Sequence, residues 1–226
     1  MIRTIIFDID NTLYDFYTVN RYALDVLADY TVEHFGWTRE KFDSDYKEAQ
    51  DEILRVLGGY AGGVRDRVLR IQLILEKNGL PLHPHVVDMY DLYWDTLLAN
   101  MNPSEGLIET MQGIREKRIR IGAGTDMTAC MQFRKLRALH VLSYFDFAVT
   151  SEEAGIEKPD GRLFERLLEK SMCRPEECLF VGDHPVKDYQ GAVNAGMQAL
   201  WYNPEKKEDH AQYAQISDLR QILDLI

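Results

Sequence analysis

The segment from Ile5 to Asp15, IIFDIDNTLYD, contains an apolar run followed by two carboxylates, Asp8 and Asp10. In an extended segment, side chains two residues apart point to the same face and lie roughly 7 Å apart. Two carboxylates held this close repel each other, and each raises the pKa of the other unless a positive charge lies between them. The pair therefore predicts a site that binds a cation.

Further polar residues follow later apolar segments. Thr125 and Asp126 end the segment RIRIGAGTD, Lys158 lies in EEAGIEKPD, and CLFVGDHPVKD contains Asp183 and Asp188. The carboxyl ends of parallel strands lie at one edge of a sheet, where ligands bind. We therefore expect these side chains to share one crevice with the N-terminal acidic pair.

This set of residue types suits phosphoryl transfer. Carboxylate oxygens bind Mg²⁺, and the ion would offset the repulsion between Asp8, Asp10 and Asp183. Asp8 would then attack phosphorus and form an aspartyl-phosphate, while Asp10 protonates the leaving alkoxide and later deprotonates a water molecule. Thr125 and nearby backbone N–H groups would hold phosphate oxygens, and Lys158 would supply a compact positive charge.

The chain shows two kinds of hydrophobic pattern. From Pro103 onward, short apolar segments alternate with amphipathic ones, which predicts a parallel sheet with helices on both faces. Residues 16–101 instead carry apolar residues three and four positions apart, which predicts roughly four helices. Their ends are expected at four glycines: Gly36, Gly58, Gly59 and Gly79. The sequence thus predicts an α/β fold, with a Rossmann-like three-layer core of residues 1–15 and 102–226 and a small helical domain inserted after the first strand.

Two further expectations concern the end of the chain and its partners. The C-terminal segment DLRQILDLI is expected to be a helix. The 226 residues carry 26 Lys and Arg against 37 Asp and Glu, a net charge of −11, which argues against attraction to nucleic-acid polymers or anionic membranes. With no apolar signal core and no segment of membrane-spanning length, we expect a cytoplasmic protein that binds a small phosphorylated metabolite. Monomer and homodimer both remain open.

Four short motifs occur in order along the chain. DIDNT comes first, the segment ending in Thr125 second, EKPD with Lys158 third, and GDHPVKD fourth. Together they resemble the four motifs of the haloacid dehalogenase-like (HAD) superfamily of hydrolases, most of which are Mg²⁺-dependent phosphatases. The resemblance extends over the full length of the chain.

The resemblance implies a role for each matching residue. Asp8 is implied as the nucleophile and Asp10 as the general acid and base. Mg²⁺ is implied to bind Asp8, the backbone carbonyl of Asp10 and Asp183, with Asp188 in support. The helical insert is implied to be the cap that closes over the site and selects the substrate.

Two longer segments indicate a branch of the superfamily. SEEAGIEKPDGRLFE and NAGMQALWYNP are similar to cytosolic 5′-nucleotidases, which act on nucleoside monophosphates. Asn11 departs from the Asp or Gly that is frequent in the first motif, and Asp126 departs from the Asn that frequently follows Thr125. Neither change removes a catalytic group. We expect the substrate to be bound by four residues: Asn11, Thr125, Asp126 and Lys158.

Other activities use a similar set of groups. A phosphoglycolate or sugar-phosphate phosphatase and a phosphomutase share the expected chemistry and differ in substrate or product. A metal-independent haloacid dehalogenase also has an aspartate nucleophile, but it forms no leaving alkoxide for Asp10 to protonate. A phospho-accepting signalling domain combines acidic residues, Thr and Lys on a parallel sheet, but it is much shorter and lacks an acid two residues after the nucleophile.

Several of the residues named have a structural alternative. Asp188 could cap the helix that follows it. Tyr14, Phe16 and Tyr17 could stack on a base, or they could pack at the junction between the two predicted domains. Both interpretations of the aromatic residues fit the sequence equally well.

Two glycine-rich segments resemble ligand-binding loops. GAGTDM is not a dinucleotide fingerprint, because Met127 stands where the third glycine should be. GGYAGGVRDRVLR carries Arg65, Arg67 and Arg70 close behind its glycines. A substrate-specificity loop is one interpretation, and a helix connection with a solvated basic face is the favoured one.

Overall fold

The computed structural model describes three stretches of the chain: residues 1–58, 64–206 and 212–226. The chain forms two compact units. One consists of residues 1–15 and 102–226 and is called the α/β unit below; the other consists of residues 16–101 and is called the helical unit. Gly59, one of the expected helix ends, lies outside the described residues.

The α/β unit is built around a sheet. Its strands are β1 (Thr4–Phe7), β2 (Arg120–Thr125), β3 (Phe147–Thr150), β4 (Cys178–Gly182), β5 (Gln198–Tyr202) and β6 (Gln215–Ile216). Within the described residues the strand order is β3-β2-β1-β4-β5-β6, and every neighbouring pair is parallel. The predicted parallel α/β sheet is confirmed.

The helical unit contains four helices in its described residues. They are α1 (Phe16–Phe35), α2 (Arg39–Leu57), α3 (Val68–Lys77) and α4 (His85–Ala99). Helix α1 packs against α4, and α2 packs against α3. Gly36, Gly58 and Gly79 follow helices and have φ between 64° and 65°, a left-handed backbone that glycine adopts without strain.

The α/β unit places its helices between strands. They are α5 (Leu107–Glu116), α6 (Ala129–Ala138), α7 (Ser151–Ala154), α8 (Gly161–Ser171) and α9 (Gly191–Asn194). A π-helical segment, Pro185–Gln190, runs directly into α9. Short 3₁₀ helices cover Leu142–Tyr144, Pro175–Glu177 and Leu219–Asp224.

Strand β1 lies between strands that belong to different parts of the chain. Ile5 pairs with Ile121 of β2 on one side and with Leu179 of β4 on the other. All four β1 residues are buried, as expected for a parallel strand that is covered on both faces. Because the strand order reverses at β1, a crevice opens beyond its carboxyl end, where α/β proteins bind ligands.

Close packing explains the glycines of β2. A Cβ atom at Gly122 would lie 2.3 Å from the ring of Phe147, and one at Gly124 would lie 2.7 Å from the side chain of Leu167. Neither distance is compatible with a side chain unless the neighbours move. These two glycines therefore leave room on β2 for the ring of Phe147 and for the Leu167 side chain of α8.

Two sequence predictions need correction. The C-terminal segment DLRQILDLI, which follows β6, forms only the 3₁₀ helix Leu219–Asp224, and this helix starts at a capping box between Asp218 and Gln221. A solvated basic face is wrong for Arg67 and Arg70, whose exposed fractions are 7% and 8%. The guanidinium group of Arg67 lies over the ring of Tyr93, and that of Arg70 lies over the ring of Tyr46. A planar cation stacks well on an aromatic ring, which makes its burial possible.

One class of element is missing from the described residues. No helix among them combines the length and the apolar character that crossing a bilayer requires.

Candidate active site

Asp8 stands directly beyond the carboxyl end of β1. Its backbone N–H donates a hydrogen bond to the carbonyl of Val181 at 2.9 Å, which continues the pairing with β4 by one residue. Its side chain is largely buried, and Oδ1 lies 2.7 Å from Nζ of Lys158. The parallel ladder therefore holds the backbone of Asp8, and a lysine orients its carboxylate.

Lys158 connects several strand ends. Its buried ammonium group also lies 2.7 Å from Oδ1 of Asp188, and it donates to the carbonyl of Gly124 at 3.0 Å. Burial alone would lower the pKa of Lys158, but the charges of Asp188 and Asp8 outweigh it and raise the pKa. Lys158 therefore remains a cation.

Three carboxylates form an acidic group at this edge of the sheet. Oxygen atoms of Asp8, Asp183 and Asp188 all lie within 4.8 Å of one another. Burial is the main cause that raises the pKa of Asp8, with further contributions from Asp188 and Asp183. Burial and the charge of Asp188 raise the pKa of Asp183 to about 7. One lysine thus leaves this group with unbalanced negative charge.

The acidic group fits a hard divalent cation. Carboxylate oxygens are the ligands that Mg²⁺ prefers, and a bound cation would offset the repulsion that raises the pKa values of Asp8 and Asp183. The side chain of Asp10 does not belong to this group, and its expected contribution through the backbone carbonyl stays a prediction. The residues that could hold Mg²⁺ by their side chains are thus Asp8, Asp183 and Asp188.

Asp188 lies inside the π-helical segment. Oδ2 accepts a hydrogen bond of 2.9 Å from the backbone N–H of His184, which is the N-cap residue. Asp188 is therefore not the cap of the helix that follows it, because the N-cap is His184 and Asp188 lies inside the segment. One of its oxygens holds the N-cap backbone while the other faces Lys158. The backbone of Asp183 is also held, because Nε1 of Trp201 donates to its carbonyl at 2.8 Å.

Asp10 is held by a second lysine. Nζ of Lys135 lies 2.7 and 2.9 Å from the two carboxylate oxygens, and the hydroxyl of Tyr14 donates to Oδ1. Burial would raise the pKa of Asp10, but the charge of Lys135 and its hydrogen bonds lower it. Tyr14 is fully buried with its hydroxyl on Asp10, whereas Tyr17 is 70% exposed. Tyr14 is thus a contact of the acid and base candidate, a role that neither sequence interpretation included.

Thr125 is the last residue of β2 and is buried. Its hydroxyl oxygen accepts a hydrogen bond of 2.6 Å from Nε2 of Gln132, one turn into α6. The same Nε2 lies 3.4 Å from Oδ2 of Asp10. Gln132 therefore links the candidate phosphate-holding hydroxyl to the candidate acid and base.

Both carboxylate oxygens of Asp126 contact other residues of the chain. Its Oδ1 accepts from the backbone N–H of Lys158 at 2.9 Å, and its Oδ2 lies 3.0 Å from Nζ of Lys187. Glu157 is a second, longer partner of Lys187 at 3.4 Å. This arrangement positions the loop that carries Lys158, while substrate binding by Asp126 stays a prediction.

Asn11 follows the acidic pair in a turn. Its φ of 60° lies in the left-handed region, which Asn tolerates better than most residues that carry a side chain. The backbone therefore explains the residue type at this position. Substrate binding by Asn11 stays a prediction.

Sequence reasoning missed three polar residues that contact the site: Gln132, Lys135 and Lys187. A signal was present for two of them. On the buried face of α6, Gln132 and Lys135 stand beside Met131 and Leu136, where a second pair of apolar residues would be usual. Buried lysines are rare unless they are paired, so this position called for a carboxylate partner.

Comparison with known proteins identifies related families and relatives. The model of haloacid dehalogenase-like hydrolases matches residues 2–196. A ribulose-1,5-bisphosphate 5-phosphatase of Halopiger xanaduensis is 29% identical over 95% of this chain and 90% of its own. A glyceraldehyde 3-phosphate phosphatase of Methanopyrus kandleri is 30% identical over 92% and 87%. A pyrimidine 5′-nucleotidase of Escherichia coli is 27% identical over 90% and 87%.

A solved structure supports the same fold. The crystal structure of a 2-haloacid dehalogenase from Pseudomonas syringae pv. Tomato has a TM-score of 0.79 and 26% identity, and the match covers 100% of this chain and 98% of that one. Proteins of similar fold thus carry out both carbon–halogen and phosphate-ester hydrolysis. The arrangement of the site residues has to distinguish between the two reactions.

Proposed function

This chain belongs to the haloacid dehalogenase-like hydrolase family, and we propose that it hydrolyses phosphate monoesters with Mg²⁺ through an aspartyl-phosphate on Asp8. Family membership and the similarity to named phosphatases make the chain a phosphoric monoester hydrolase. The metal, the covalent intermediate and the substrate class are the finer parts of the proposal.

One observation carries the proposal: a buried acidic group that a single lysine does not neutralise. Carbon–halogen hydrolysis needs an aspartate nucleophile and releases a halide without a proton. Neither Asp183, whose pKa is raised to about 7, nor Asp10 would have a task in that reaction. Transfer of a doubly charged phosphoryl group needs both a cation and an acid. In that reaction Asp183 would help to bind the cation, and Asp10 would be the acid.

In the first step, a carboxylate oxygen of Asp8 attacks phosphorus, and the bond from phosphorus to the ester oxygen breaks. For this step Asp10 has to enter protonated, although the contacts with Lys135 lower its pKa, and it gives that proton to the leaving oxygen so that the alcohol departs neutral. Lys158 and Thr125 stabilise the phosphoryl oxygens by charge and by hydrogen bonding. The product of this step is phosphorylated Asp8 together with the free alcohol.

In the second step, a water molecule attacks the phosphorus of the aspartyl-phosphate. Asp10 accepts the proton of that water, the bond to Asp8 breaks, and inorganic phosphate leaves. Mg²⁺, held by Asp8, Asp183 and Asp188, supplies when bound the charge that offsets their mutual repulsion and that of the phosphate. At the end both catalytic aspartates have returned to their initial states.

For the substrate, we propose a small sugar phosphate. The similarity to a triose-phosphate phosphatase and to a pentose-bisphosphate phosphatase supports this class, with a nucleoside 5′-monophosphate as the second candidate because of the similarity to a pyrimidine 5′-nucleotidase. The helical unit is proposed to select the substrate. A phosphomutase remains the alternative that product analysis with hexose phosphates would detect.

The test is a substrate panel with purified protein and Mg²⁺. The panel contains glyceraldehyde 3-phosphate, ribulose 1,5-bisphosphate, phosphoglycolate and purine and pyrimidine monophosphates, with released phosphate as the readout. We expect hydrolysis of at least one sugar phosphate, and EDTA should abolish it. Activity on none of these compounds would contradict the proposal, and halide release that resists EDTA would favour the dehalogenase.

Asp8→Asn is the matched variant for the panel. Because it removes the attacking oxygen, we expect kcat to fall by at least about 10⁴-fold. The free energy of unfolding should not fall together with kcat, because replacing the Asp8 carboxylate by an amide removes one of the three carboxylate charges that repel each other. A variant that kept a tenth of the activity would contradict the role of Asp8.

A further inference from the structure

Helix α6 presents two buried polar side chains towards the site. Gln132 and Lys135 are three residues apart, so they lie on the same face of the helix. Their exposed fractions are 2% and 0%, and their polar ends reach Thr125 and Asp10. A fully buried lysine is unusual in any protein, and this one requires an explanation.

The contacts of Lys135 define one orientation of Asp10. Nζ donates to both carboxylate oxygens at 2.7 and 2.9 Å, and it lies 5.9 Å from the centre of the Tyr14 ring. Tyr14 adds a hydrogen bond to Oδ1. Nε2 of Gln132 is a second, longer donor to Oδ2 at 3.4 Å. Because each oxygen has two donors, rotation of the carboxylate would break at least one contact.

The burial of the two partners is unequal. The side chain of Lys135 is fully enclosed, whereas that of Asp10 keeps 24% of its surface exposed. The ammonium group therefore lies behind the carboxylate, on the side away from solvent. A cation in this place contacts the acid and base candidate without occupying the space in front of it.

Stability alone does not account for this pair. A buried ion pair is often no more stabilising than apolar side chains of similar volume, because both ions lose their hydration. Met131 and Leu136 already supply apolar packing on this face of α6. An aliphatic residue would fit such a position, so the ammonium group points to a function.

We propose that Lys135 is a positioning residue that holds Asp10 in the orientation needed for both proton transfers. This inference rests on the proposed function. In this role Lys135 transfers no proton: Asp10 gives one proton to the leaving oxygen and takes one from the attacking water. Without Lys135, the carboxylate of Asp10 can rotate out of hydrogen-bond reach of the ester oxygen.

The test uses the leaving group as a probe of proton transfer. Wild type and Lys135→Met are compared with Mg²⁺ on p-nitrophenyl phosphate, whose leaving group departs without a proton, and on an alkyl phosphate that the wild type accepts. The value of kcat/KM reports the first step. We expect it to fall by about 10²-fold more for the alkyl phosphate than for p-nitrophenyl phosphate.

The second step supplies an independent readout. Because the attacking water also needs Asp10, Lys135→Met should accumulate phosphorylated enzyme and show a burst of nitrophenol equal to the enzyme concentration. Equal losses of kcat/KM on both substrates, with no burst, would overturn the positioning role.

Two further variants separate position from folding. Tyr14→Phe removes only the hydroxyl on Asp10, and it should change the ratio between the two substrates in the same direction by about 3- to 10-fold, even if Lys135→Met does not fold. Lys170→Met is the control: its ammonium group contacts the carbonyl of Ala148 and Glu153 on α7, and the ratio should not change. An unchanged ratio in Tyr14→Phe counts against the proposal.

The failure of this inference is distinguishable from that of the proposed function. A wild type that hydrolyses no phosphate ester overturns both. An active wild type with an unchanged substrate ratio in Lys135→Met overturns only the role of Lys135.

Discussion

Within the described residues, the α/β unit and the helical unit each bury two cationic side chains, and they surround them differently. In the α/β unit, Lys135 and Lys158 each lie 2.7 Å from a carboxylate oxygen. In the helical unit, Arg67 and Arg70 lie against aromatic rings and neutral oxygen atoms. Buried cations in the two units thus have chemically different partners.

The arginine contacts follow from the shape of the guanidinium group. Arg67 lies 5.0 Å from the centre of the Tyr93 ring and donates to Oδ1 of Asn20 at 3.1 Å. Arg70 donates to the hydroxyl of Tyr46 at 3.3 Å. A planar, delocalised and weakly hydrated cation accepts such partners, whereas a compact ammonium group loses more hydration and needs a carboxylate.

The difference indicates which buried charges serve the reaction. Around Lys158, carboxylates outnumber the cation, so part of the negative charge remains unbalanced at the strand ends. Around Arg70, the ring of Tyr46 and neutral acceptors provide packing and hydrogen bonds. Buried charge without a full set of partners destabilises the fold and occurs mainly at functional sites, which supports the proposal that the reactive site lies in the α/β unit.

The largest effect is expected from Lys158→Met, which leaves Asp8 and Asp188 without their shared cation. Removing one partner of a buried ion pair typically costs about 3–5 kcal/mol of unfolding free energy. Arg70→Met is the matched variant in the helical unit, where the lost partners are neutral, and we expect about 1 kcal/mol. Urea unfolding in EDTA measures both changes.

Mg²⁺ sharpens this test. A bound ion would neutralise part of the charge that Lys158 no longer balances. Mg²⁺ should therefore reduce the difference in unfolding free energy between wild type and Lys158→Met. The corresponding difference for Arg70→Met should not change. Equal losses for the two variants in EDTA would show that the two environments do not differ as described.

An intermediate effect is expected at Gly182, the last residue of β4. A Cβ atom there would lie 2.4 Å from Oδ2 of Asp188, so Gly182→Ala has to displace that carboxylate. We expect the Mg²⁺ concentration for half-maximal activity to rise by about 10- to 100-fold. Gly161→Ala is the control, since no atom lies within 4 Å of the added carbon. A similar Mg²⁺ requirement for both variants would exclude Asp188 from the metal site.

The smallest effect is expected from Asp45→Asn in the helical unit. Burial would raise the pKa of Asp45, but hydrogen bonds from Lys41, Lys77 and Asn78 lower it to about 2. Because the folded pKa lies below the unfolded one, the stabilisation is present above about pH 4 and disappears as the pH falls towards 2. We expect wild type to exceed the variant by about 1–2 kcal/mol at pH 7, with unchanged kcat.

The measurement for Asp45 is a series of unfolding curves between pH 7 and pH 3. The difference between wild type and Asp45→Asn should shrink as the pH falls. A difference that stays constant over this range would mean that the carboxylate charge does not stabilise the helical unit.

Much of the fold was predictable because it depends on local pattern. The alternation of apolar strands and amphipathic helices after Pro103 predicts the parallel sheet, and the spacing of apolar residues between 16 and 101 predicts the four helices. The C-terminal segment shows the limit of this reasoning. A capping box at Asp218 starts a helix there, but the helix is of the 3₁₀ type and covers only Leu219–Asp224.

The candidate site divides in the same way. Asp8, Thr125 and Asp183 stand at or directly after strand ends, and local sequence locates such positions. Lys187 and Gln132 lie inside helices, where a polar residue is ordinarily on the solvent side. Their contacts with the site depend on which helix face turns inward.

By itself, the sequence determined the order of the elements, the residues at the strand ends and the family to which they belong, since all of these depend on neighbours a few positions apart. Only the tertiary structure decided that Lys135 meets Asp10 across 125 residues and that Arg67 and Arg70 are buried on aromatic rings. The physical reason is that a charge becomes buried only when distant segments pack around it. The identity of its partner is therefore a property of the folded chain.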